Sequence, residues 1–181
     1  MGTNERRLFI SCLNGLNFHQ RMALDESQLP FDKYGAGMTD TIAHLVGRYA
    51  ANRIDIAAAT IRYHECIDYL ERHGNAAVVF PEDPRYPWRL YEMSDPPYRL
   101  MVLGVLPSAE QVPITIVGTR DASKSAESAA FKLAFEAARD GLWIVSGFAR
   151  GIDLNAHTGA VSAHGRTMAI LGCGLEDSWA S

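Results

Sequence analysis

Apolar residues recur at helical spacing through much of the first 75 residues. In the segment 55–73 the apolar positions fall on one helical face: Ile56, Ala59, Tyr63, Ile67 and Leu70. This spacing predicts an amphipathic helix that is closed by Gly74. A shorter helix is predicted over residues 39–51, with Thr39 or Asp40 as its N-cap. The Pro- and Gly-bearing segment 29–37 is predicted to be a loop.

The pattern changes after residue 75. Residues 78–80 are typical of a short strand, and residues 81–97 then carry five prolines: Pro81, Pro84, Pro87, Pro96 and Pro97. Missing amide donors exclude a central strand or a long helix there, but one or two helical turns fit residues 88–93. We therefore predict a helical N-terminal domain over 1–75 and a second domain over 76–181.

Short, continuously apolar runs follow from residue 98 onward. They predict strands at 100–105, 114–117, 143–145 and 168–171. Helical stretches at 123–140 and 153–163 separate the last three strands, and Gly141 and Gly165 end them. Such alternation predicts an α/β domain with a Rossmann-like parallel sheet, covered by helices on both faces.

The turns after the last three predicted strands carry the candidate chemistry. Ligands bind at the carboxyl ends of parallel strands, and each of these turns has a glycine where the backbone can approach a ligand. Two of the turns also carry an arginine, and glycine amides with arginine suit a phosphate group. The candidate anion-binding residues are Gly118, Arg120, Ser123, Ser146, Gly147, Arg150, Gly172 and Gly174.

Two further residues near these turns are expected to support the site. Asp153 is placed to cap the helix that follows it. His157 lies one turn later and is expected to be oriented by that aspartate rather than to act as a catalyst. Glycines at such turns also occur where no ligand binds, so a purely structural role of the loops remains the alternative.

Charge and composition limit the classes of function that fit the chain. The 181 residues are 48% hydrophobic and 21% charged, with 17 basic and 21 acidic side chains and a net charge of −4. Because a general basic surface is missing, any attraction for a polyanion must be local. The three scattered cysteines indicate no disulfide framework. We expect a cytoplasmic protein, because no signal peptide and no apolar stretch long enough for a membrane span is recognisable. We expect no metal or cofactor, since GxGxxG, P-loop, HExxH and GxSxG motifs are absent.

The ordered motifs resemble the DNA-processing protein A (DprA/Smf) family. The matching segments are 85–90 (RYPWRL), 94–97 (SDPP), 116–120 (IVGTR), 144–153 (IVSGFARGID), Ala156-His157 and 165–175 (GRTMAILGCGL). They cover roughly residues 76–175 in family order. The N-terminal 75 residues resemble the family's small domain only in size and helical character.

The resemblance implies a function. It implies a non-catalytic protein that binds single-stranded DNA in natural transformation, forms dimers and loads the recombinase RecA. It adds Thr119, Ala149 and Gly151 to the pocket residues. Ser125 and Ala126 depart from the family pattern, which has an aromatic residue and a glycine there. The family's segments after the Gly-Cys-Gly-Leu turn have no counterpart, so we expect residues 76–181 to be only the N-terminal part of that domain.

The sequence leaves two other functions open. One is an enzyme of the related Rossmann-like phosphoribohydrolases, which would need a carboxylate in the pocket. Asp121, Asp153 and Glu176 are the candidates for it. The other is an inactive fragment with an open sheet edge that is prone to association.

Overall fold

The computed structural model describes residues 2–29 and 38–175, which divide into two compact units, Met1–Gly104 and Val105–Ser181. The helices of the first unit are α1 (Thr3–Ser11), α2 (Phe18–Glu26), α3 (Met38–Val46), α4 (Arg48–Ala51) and α5 (Ile56–Arg72). Strands β1 (Ala76–Val79) and β2 (Leu100–Leu103) follow, with a 3₁₀ helix (Trp88–Glu92) between them. Within the described residues, no helix combines the length and the apolar character that crossing a membrane requires.

The long predicted helix is confirmed as α5. Asp55 is its N-cap, and the Asp55 carboxylate accepts a 2.9 Å hydrogen bond from the amide of Ala58. The helix ends at Arg72, and His73 rather than Gly74 is its C-cap, in an extended conformation. The Asp55 carboxylate therefore fixes where the helix begins, as expected for an acidic N-cap.

The shorter predicted helix is divided in two. Gly47 adopts a φ of +86° between α3 and α4, a left-handed conformation that ends the first helix. The single helix predicted over 39–51 was wrong in this respect. Since α3 already begins at Met38, neither Thr39 nor Asp40 precedes the helix as an N-cap. Residues 30–37 of the loop predicted at 29–37 lie outside the described residues.

The first unit extends further than the predicted boundary at residue 75. Strands β1 and β2 pair with each other as an antiparallel ribbon, from Ala76 opposite Leu103 to Val79 opposite Leu100. Phe80 and Tyr98 join the buried core of the helices, where their rings lie 5.8 Å apart. Because this ribbon packs with the helical core, the division falls at Gly104 instead. The strand predicted at 100–105 consequently belongs to the first unit.

The second unit is the α/β part of the chain. It contains β3 (Pro113–Thr115), α6 (Lys124–Arg139), β4 (Trp143–Ser146), α7 (Ile152–Ser162) and β5 (Thr167–Ala169). The strands form a parallel sheet in the order β3-β4-β5, which confirms the predicted Rossmann-like α/β class. The central strand β4 is buried along its whole length, whereas its neighbours are partly exposed.

Helices α6 and α7 lie on one face of this sheet. Both crossovers step in the same direction across the sheet, and right-handed crossovers of that kind place their helices on the same side. The two helices pack directly on each other: a Cβ at Gly159 would lie 2.3 Å from the Phe131 carbonyl oxygen. The predicted covering of both faces was therefore wrong for the described part of this unit.

Candidate functional site

The carboxyl ends of the three parallel strands form one edge of the second unit. Hydrogen bonds from the Ile116 amide to the Val145 oxygen (3.0 Å) and from the Ile170 amide to the Ser146 oxygen (2.8 Å) continue the pairing beyond the strands. The turns that carry the predicted residues leave the sheet from this edge. We call residues 117–123 the first loop, residues 147–151 the second loop and residues 172–174 the third loop.

The carboxylate of Asp153 connects the first two loops. Its Oδ1 accepts from the Gly118 amide and its Oδ2 from the Gly147 amide, each at 3.2 Å. The side chain is buried, at 6% exposure, and lies in the first turn of α7, where the helix dipole favours a negative charge. Asp153 is not the predicted N-cap, since that position belongs to Gly151. Its carboxylate holds the first loop to the second loop.

Glycines let the same two loops pass in contact. At Gly151, φ is +85°, and a Cβ there would lie 2.4 Å from the Thr119 oxygen and 2.7 Å from the Arg120 oxygen. At Gly118, a Cβ would lie 2.5 Å from Cγ1 of Ile152. A side chain at either position would force the loops apart, because real Cβ atoms do not approach so closely.

Both predicted arginines lie on the connected loops. Arg120 and Arg150 are exposed, and within the described part of the chain neither guanidinium has a hydrogen bond or an ion pair. By contrast, Arg139 at the other end of α6 is paired with Glu136. Two guanidinium groups that have no partner among the described residues can each bind a phosphate in bidentate fashion.

The backbone amides divide into two groups. The amides of Gly118 and Gly147, which we expected to face an anion, donate to Asp153 instead. Hydrogen-bond donors without a partner in the described residues remain at the amides of Thr119, Arg120, Phe148, Ala149, Arg150 and Gly151. The arrangement therefore still offers backbone donors to an anion, but from positions next to the two glycines.

The two predicted serines are engaged within the fold. The Ser146 hydroxyl is buried and donates to the Ile116 oxygen at 2.6 Å, so its proton holds β4 to the preceding strand rather than facing an anion. Ser123 is the N-cap of α6, and its hydroxyl accepts from the Ala126 amide at 3.3 Å.

The third loop differs from the other two. Gly172 and Gly174 are exposed, and a Cβ at Gly172 would meet nothing within 4 Å. Two residues before this loop, the Ile170 oxygen lies 3.9 Å from the position of a Cβ at Gly147. This loop therefore borders the connected pair at its base, while its glycines stand open.

His157 is buried beneath the second loop. Its Nδ1 lies 2.6 Å from the Thr167 hydroxyl, which itself donates to the Ile144 oxygen. The imidazole therefore donates from Nδ1, which leaves Nε2 buried without a partner among the described residues. Burial lowers the pKa of His157, and the charge of Asp153 opposes this. The partner that orients His157 is thus Thr167, not the aspartate expected from the sequence.

Phe148 is a site residue that the sequence analysis did not single out. Its φ is +65°, a left-handed conformation that is uncommon for an aromatic residue, and its side chain is 43% exposed at the tip of the second loop. The ring lies 5.5 Å from that of His157. The position of Phe148 between Gly147 and Gly151 was the available signal in the sequence, but its left-handed backbone and its contact with His157 are visible only in the structure.

These features define a class of protein: a Rossmann-like α/β domain whose carboxyl edge presents two exposed arginines beside glycine-rich loops. Among the described residues, no group of three or more His, Cys, Asp or Glu side chains could hold a metal ion. The family model for DNA recombination-mediator protein A matches residues 77–181. The chain belongs to this family, which confirms the predicted DprA/Smf membership.

Individual relatives agree with the family match. The chain is 40% identical over 114 residues to Protein Smf of Synechocystis, covering 60% of this chain and 29% of the relative. It is 37% identical over 94 residues to DNA processing protein DprA of Streptococcus pneumoniae, covering 52% and 33%. The chain thus spans about a third or less of these curated relatives.

A solved structure supports the same assignment. The X-ray structure of DNA processing protein A from Streptococcus pneumoniae matches with a TM-score of 0.63 at 26% identity. The match covers 97% of this chain and 59% of that chain. The likeness therefore includes the helical first unit, where the sequence had indicated only a similar size and helical character.

Proposed function

We propose that this chain binds single-stranded DNA at the carboxyl edge of its second unit, without catalysis, and that it serves recombination in DNA uptake. The observation that carries the proposal is the connection of the first two loops by Asp153. It brings Arg120 and Arg150 to one edge together with backbone amides; both arginines are exposed, and neither they nor these amides have a partner among the residues that the structure describes. Such a set matches the negatively charged, evenly spaced phosphates of a nucleic acid.

The aromatic residue at this edge favours a single strand over a duplex. A base can stack on an exposed ring only when it is not enclosed in a double helix, and such stacking contributes about 1–3 kcal/mol per base. Phe148 presents such a ring beside Arg150 on the second loop. Arginine for the backbone and an aromatic ring for a base are the usual combination in proteins that bind single strands.

Membership of a recombination-mediator family supports the further step. We propose that the protein acts as a dimer that delivers the bound DNA strand to RecA. This step is tested by RecA filament assembly on oligonucleotides coated with single-strand-binding protein. Assembly that does not accelerate in the presence of the protein would contradict it, whatever the affinity for DNA.

The phosphoribohydrolase alternative is not favoured by the geometry. Its best candidate carboxylate, Asp153, is buried and accepts from two amides, so it is not placed to exchange a proton with a substrate. Incubation with nucleoside monophosphates is expected to release no ribose 5-phosphate. Turnover that disappears in Asp153→Asn would establish the enzyme instead.

The decisive experiment compares arginine variants. Arg120→Ala and Arg150→Ala are each expected to weaken binding of a labelled oligonucleotide by roughly tenfold, since a hydrogen bond to a charged group contributes about 1.5 kcal/mol or more. Each should also reduce the salt slope, which is the slope of the logarithm of the affinity against the logarithm of the salt concentration. The expected reduction is about 0.7 for every phosphate that the arginine no longer neutralises. Fluorescence anisotropy at several salt concentrations measures both quantities.

Arg139→Ala is the matched control, because it removes an exposed arginine from α6 far from the carboxyl edge. It is expected to leave both the affinity and the salt slope unchanged. If all three variants lose affinity equally, the attraction is a property of overall charge, and the assignment of the site to this edge is wrong.

A further inference from the structure

A pair of cysteines in the first unit forms a cluster that the proposed DNA site does not use. Cys12, the C-cap of α1, and Cys66, on α5, are both free thiols. The guanidinium of Arg99 lies against both, with Nη1 3.4 Å from Sγ of Cys12 and 3.5 Å from Sγ of Cys66. The same Nη1 donates to the Ser11 hydroxyl at 2.9 Å.

The surroundings hold this cluster in place and give it a positive charge. Arg62 donates twice to the Cys12 carbonyl oxygen, from Nε at 3.0 Å and from Nη2 at 2.7 Å, which ties the end of α1 to α5. Cys12 is only 2% exposed, whereas Cys66 is half-buried and gives the pair its access to solvent. A guanidinium in contact with both sulfurs disfavours a metal cation there and favours a thiolate.

The electrostatics distinguish the two thiols. The neighbouring thiol of Cys66 lowers the pKa of Cys12, and the positive charge of Arg99 adds to this, while burial opposes it. The neighbouring Cys12, together with burial, raises the pKa of Cys66. Cys12 is therefore the more acidic of the two thiols.

We propose that Cys12 and Cys66 form a redox site, which small hydroperoxides convert reversibly into a disulfide between α1 and α5. The proximity of two thiols under one guanidinium is the arrangement that a reactive cysteine and its resolving partner require. The buried position of Cys12 restricts the oxidant to molecules of about the size of hydrogen peroxide.

The reaction balances in two steps. The Cys12 thiolate attacks one peroxide oxygen, the O–O bond breaks, and the leaving hydroxide takes a proton from solvent to become water. Cys12 is then a sulfenic acid, and the peroxide has been reduced by two electrons. The sulfur of Cys66, losing its proton, attacks Sγ of Cys12; the S–O bond breaks and the hydroxide leaves as a second water. The product is a disulfide, which an added dithiol reduces.

The link would join segments far apart in the sequence. It closes a loop from residue 12 to residue 66, which contains α2, α3 and α4. A crosslink over a loop of this length restricts the unfolded chain and so stabilises the folded form. Oxidation is therefore expected to raise the melting temperature of the first unit.

The test uses the full 181-residue chain with Cys173→Ser, which removes the exposed third thiol in the other unit. After treatment with hydrogen peroxide, peptide mapping without reductant is expected to show a Cys12–Cys66 crosslink that dithiothreitol reverses. Adding Cys66→Ser should stop the reaction at a Cys12 sulfenic acid, which dimedone traps. In Arg99→Gln, the pH midpoint of the oxidation rate should move upward, because the positive charge is removed.

Two outcomes would overturn the proposal. One is a Cys173→Ser chain that keeps both thiols after peroxide treatment while free Cys173 in the parent chain is oxidised. The other is a crosslink that forms only after the chain has been unfolded, which circular dichroism during oxidation would reveal. Since the Cys173→Ser chain retains both thiols and Arg99, its result does not depend on whether the other variants fold.

Discussion

Phe148 holds a backbone conformation that costs free energy. A bulky residue at a φ of +65° is strained, and such strain persists only where the surrounding structure imposes it, often at functional sites. Here the imposing contacts are on either side: the Gly147 amide is held by Asp153, and Gly151 is wedged against the first loop. In this conformation the Phe148 ring lies against His157 and 43% of the residue stays exposed, two positions before Arg150.

Replacing Phe148 by Asn separates the ring from the backbone. Asparagine tolerates the left-handed region, so the loop is expected to keep its shape while the stacking surface disappears. Affinity for an oligonucleotide should fall by about 1–3 kcal/mol, and the salt slope should not change, because the ring neutralises no phosphate. Anisotropy titrations at several salt concentrations measure both.

One result would contradict this role for Phe148. Unchanged affinity in Phe148→Asn would show that the ring contacts no base. Thermal unfolding of the same variant serves as the control, since a large drop in the melting temperature would attribute any loss of affinity to the fold.

His157 gives the second unit a pH dependence. Because burial lowers its pKa below the unfolded value of about 6.5, the unfolded chain takes up a proton more readily than the folded chain. The contribution of neutral His157 to stability is therefore complete above about pH 6.5 and declines as the pH falls through the lowered pKa. Urea unfolding at pH 7.5 and pH 5.5 should show less stability at the lower pH.

The variant His157→Gln isolates this contribution from that of the other histidines. It is expected to lower stability at pH 7.5, since the hydrogen bond with Thr167 changes, but to reduce the difference between the two pH values. An equal difference in both proteins would assign the pH dependence to other groups.

At the residue scale, the sequence identified the loops but not the contacts between them. Arg120, Arg150 and the glycines could be found because strand ends and turns are local patterns. The roles of Asp153, Ser146 and the Cys12–Cys66 pair could not, because each depends on partners 35, 30 or 54 positions away. Sequence spacing carries no information about such partners.

Helices α6 and α7 show how small residues control an element pair. The buried side of α6 consists of alanines, Ala130, Ala134, Ala137 and Ala138, and α7 faces it with Ala156, Gly159 and Ala160. Gly165 continues this contact, since a Cβ there would lie 2.6 Å from the Cβ of Ala138. The helices can approach closely because no long side chain separates them.

Gly159→Ala tests this packing against intrinsic propensity. Alanine is better than glycine inside a helix by about 1 kcal/mol. The added Cβ would nevertheless lie 2.3 Å from the Phe131 oxygen, and such overpacking costs about 1–3 kcal/mol. We expect a net loss of stability in denaturant unfolding. Gly172→Ala is the control, because its Cβ meets nothing within 4 Å. A Gly159→Ala protein more stable than the parent would contradict the close packing.

At the element scale, periodicity located α5, α6 and α7 to within a residue or two, whereas α1 and α2 had no individually predicted bounds. The roles of Ser123 and Asp55 as N-caps were not predicted. The break at Gly47 was missed because a glycine inside an apolar period is equally consistent with a continuous helix. The one-sided helix layer was missed because strand order is not written in local sequence.

The molecule as a whole combines an acidic balance with a local cationic edge. Its net charge of −4 provides no general attraction for DNA, so the proposed DNA binding depends on where Arg120 and Arg150 are placed. The two units also differ in origin of stability: the first has a core of large side chains such as Leu13, Leu24 and Phe80, and the second relies on alanines around Ile144. The boundary at Gly104 was not readable from composition, because the proline-rich segment lies inside the first unit.

The bond pattern of Asp153 has a thermodynamic consequence. Both loops reach their shape through contacts within the chain alone, so a strand that binds there finds its donors already oriented. A preorganised surface loses little conformational entropy on association, and its affinity is correspondingly less reduced by ordering costs. In Asp153→Asn the two loops are expected to be released from each other. Calorimetry of oligonucleotide binding should therefore show a smaller entropic penalty for the parent chain than for this variant.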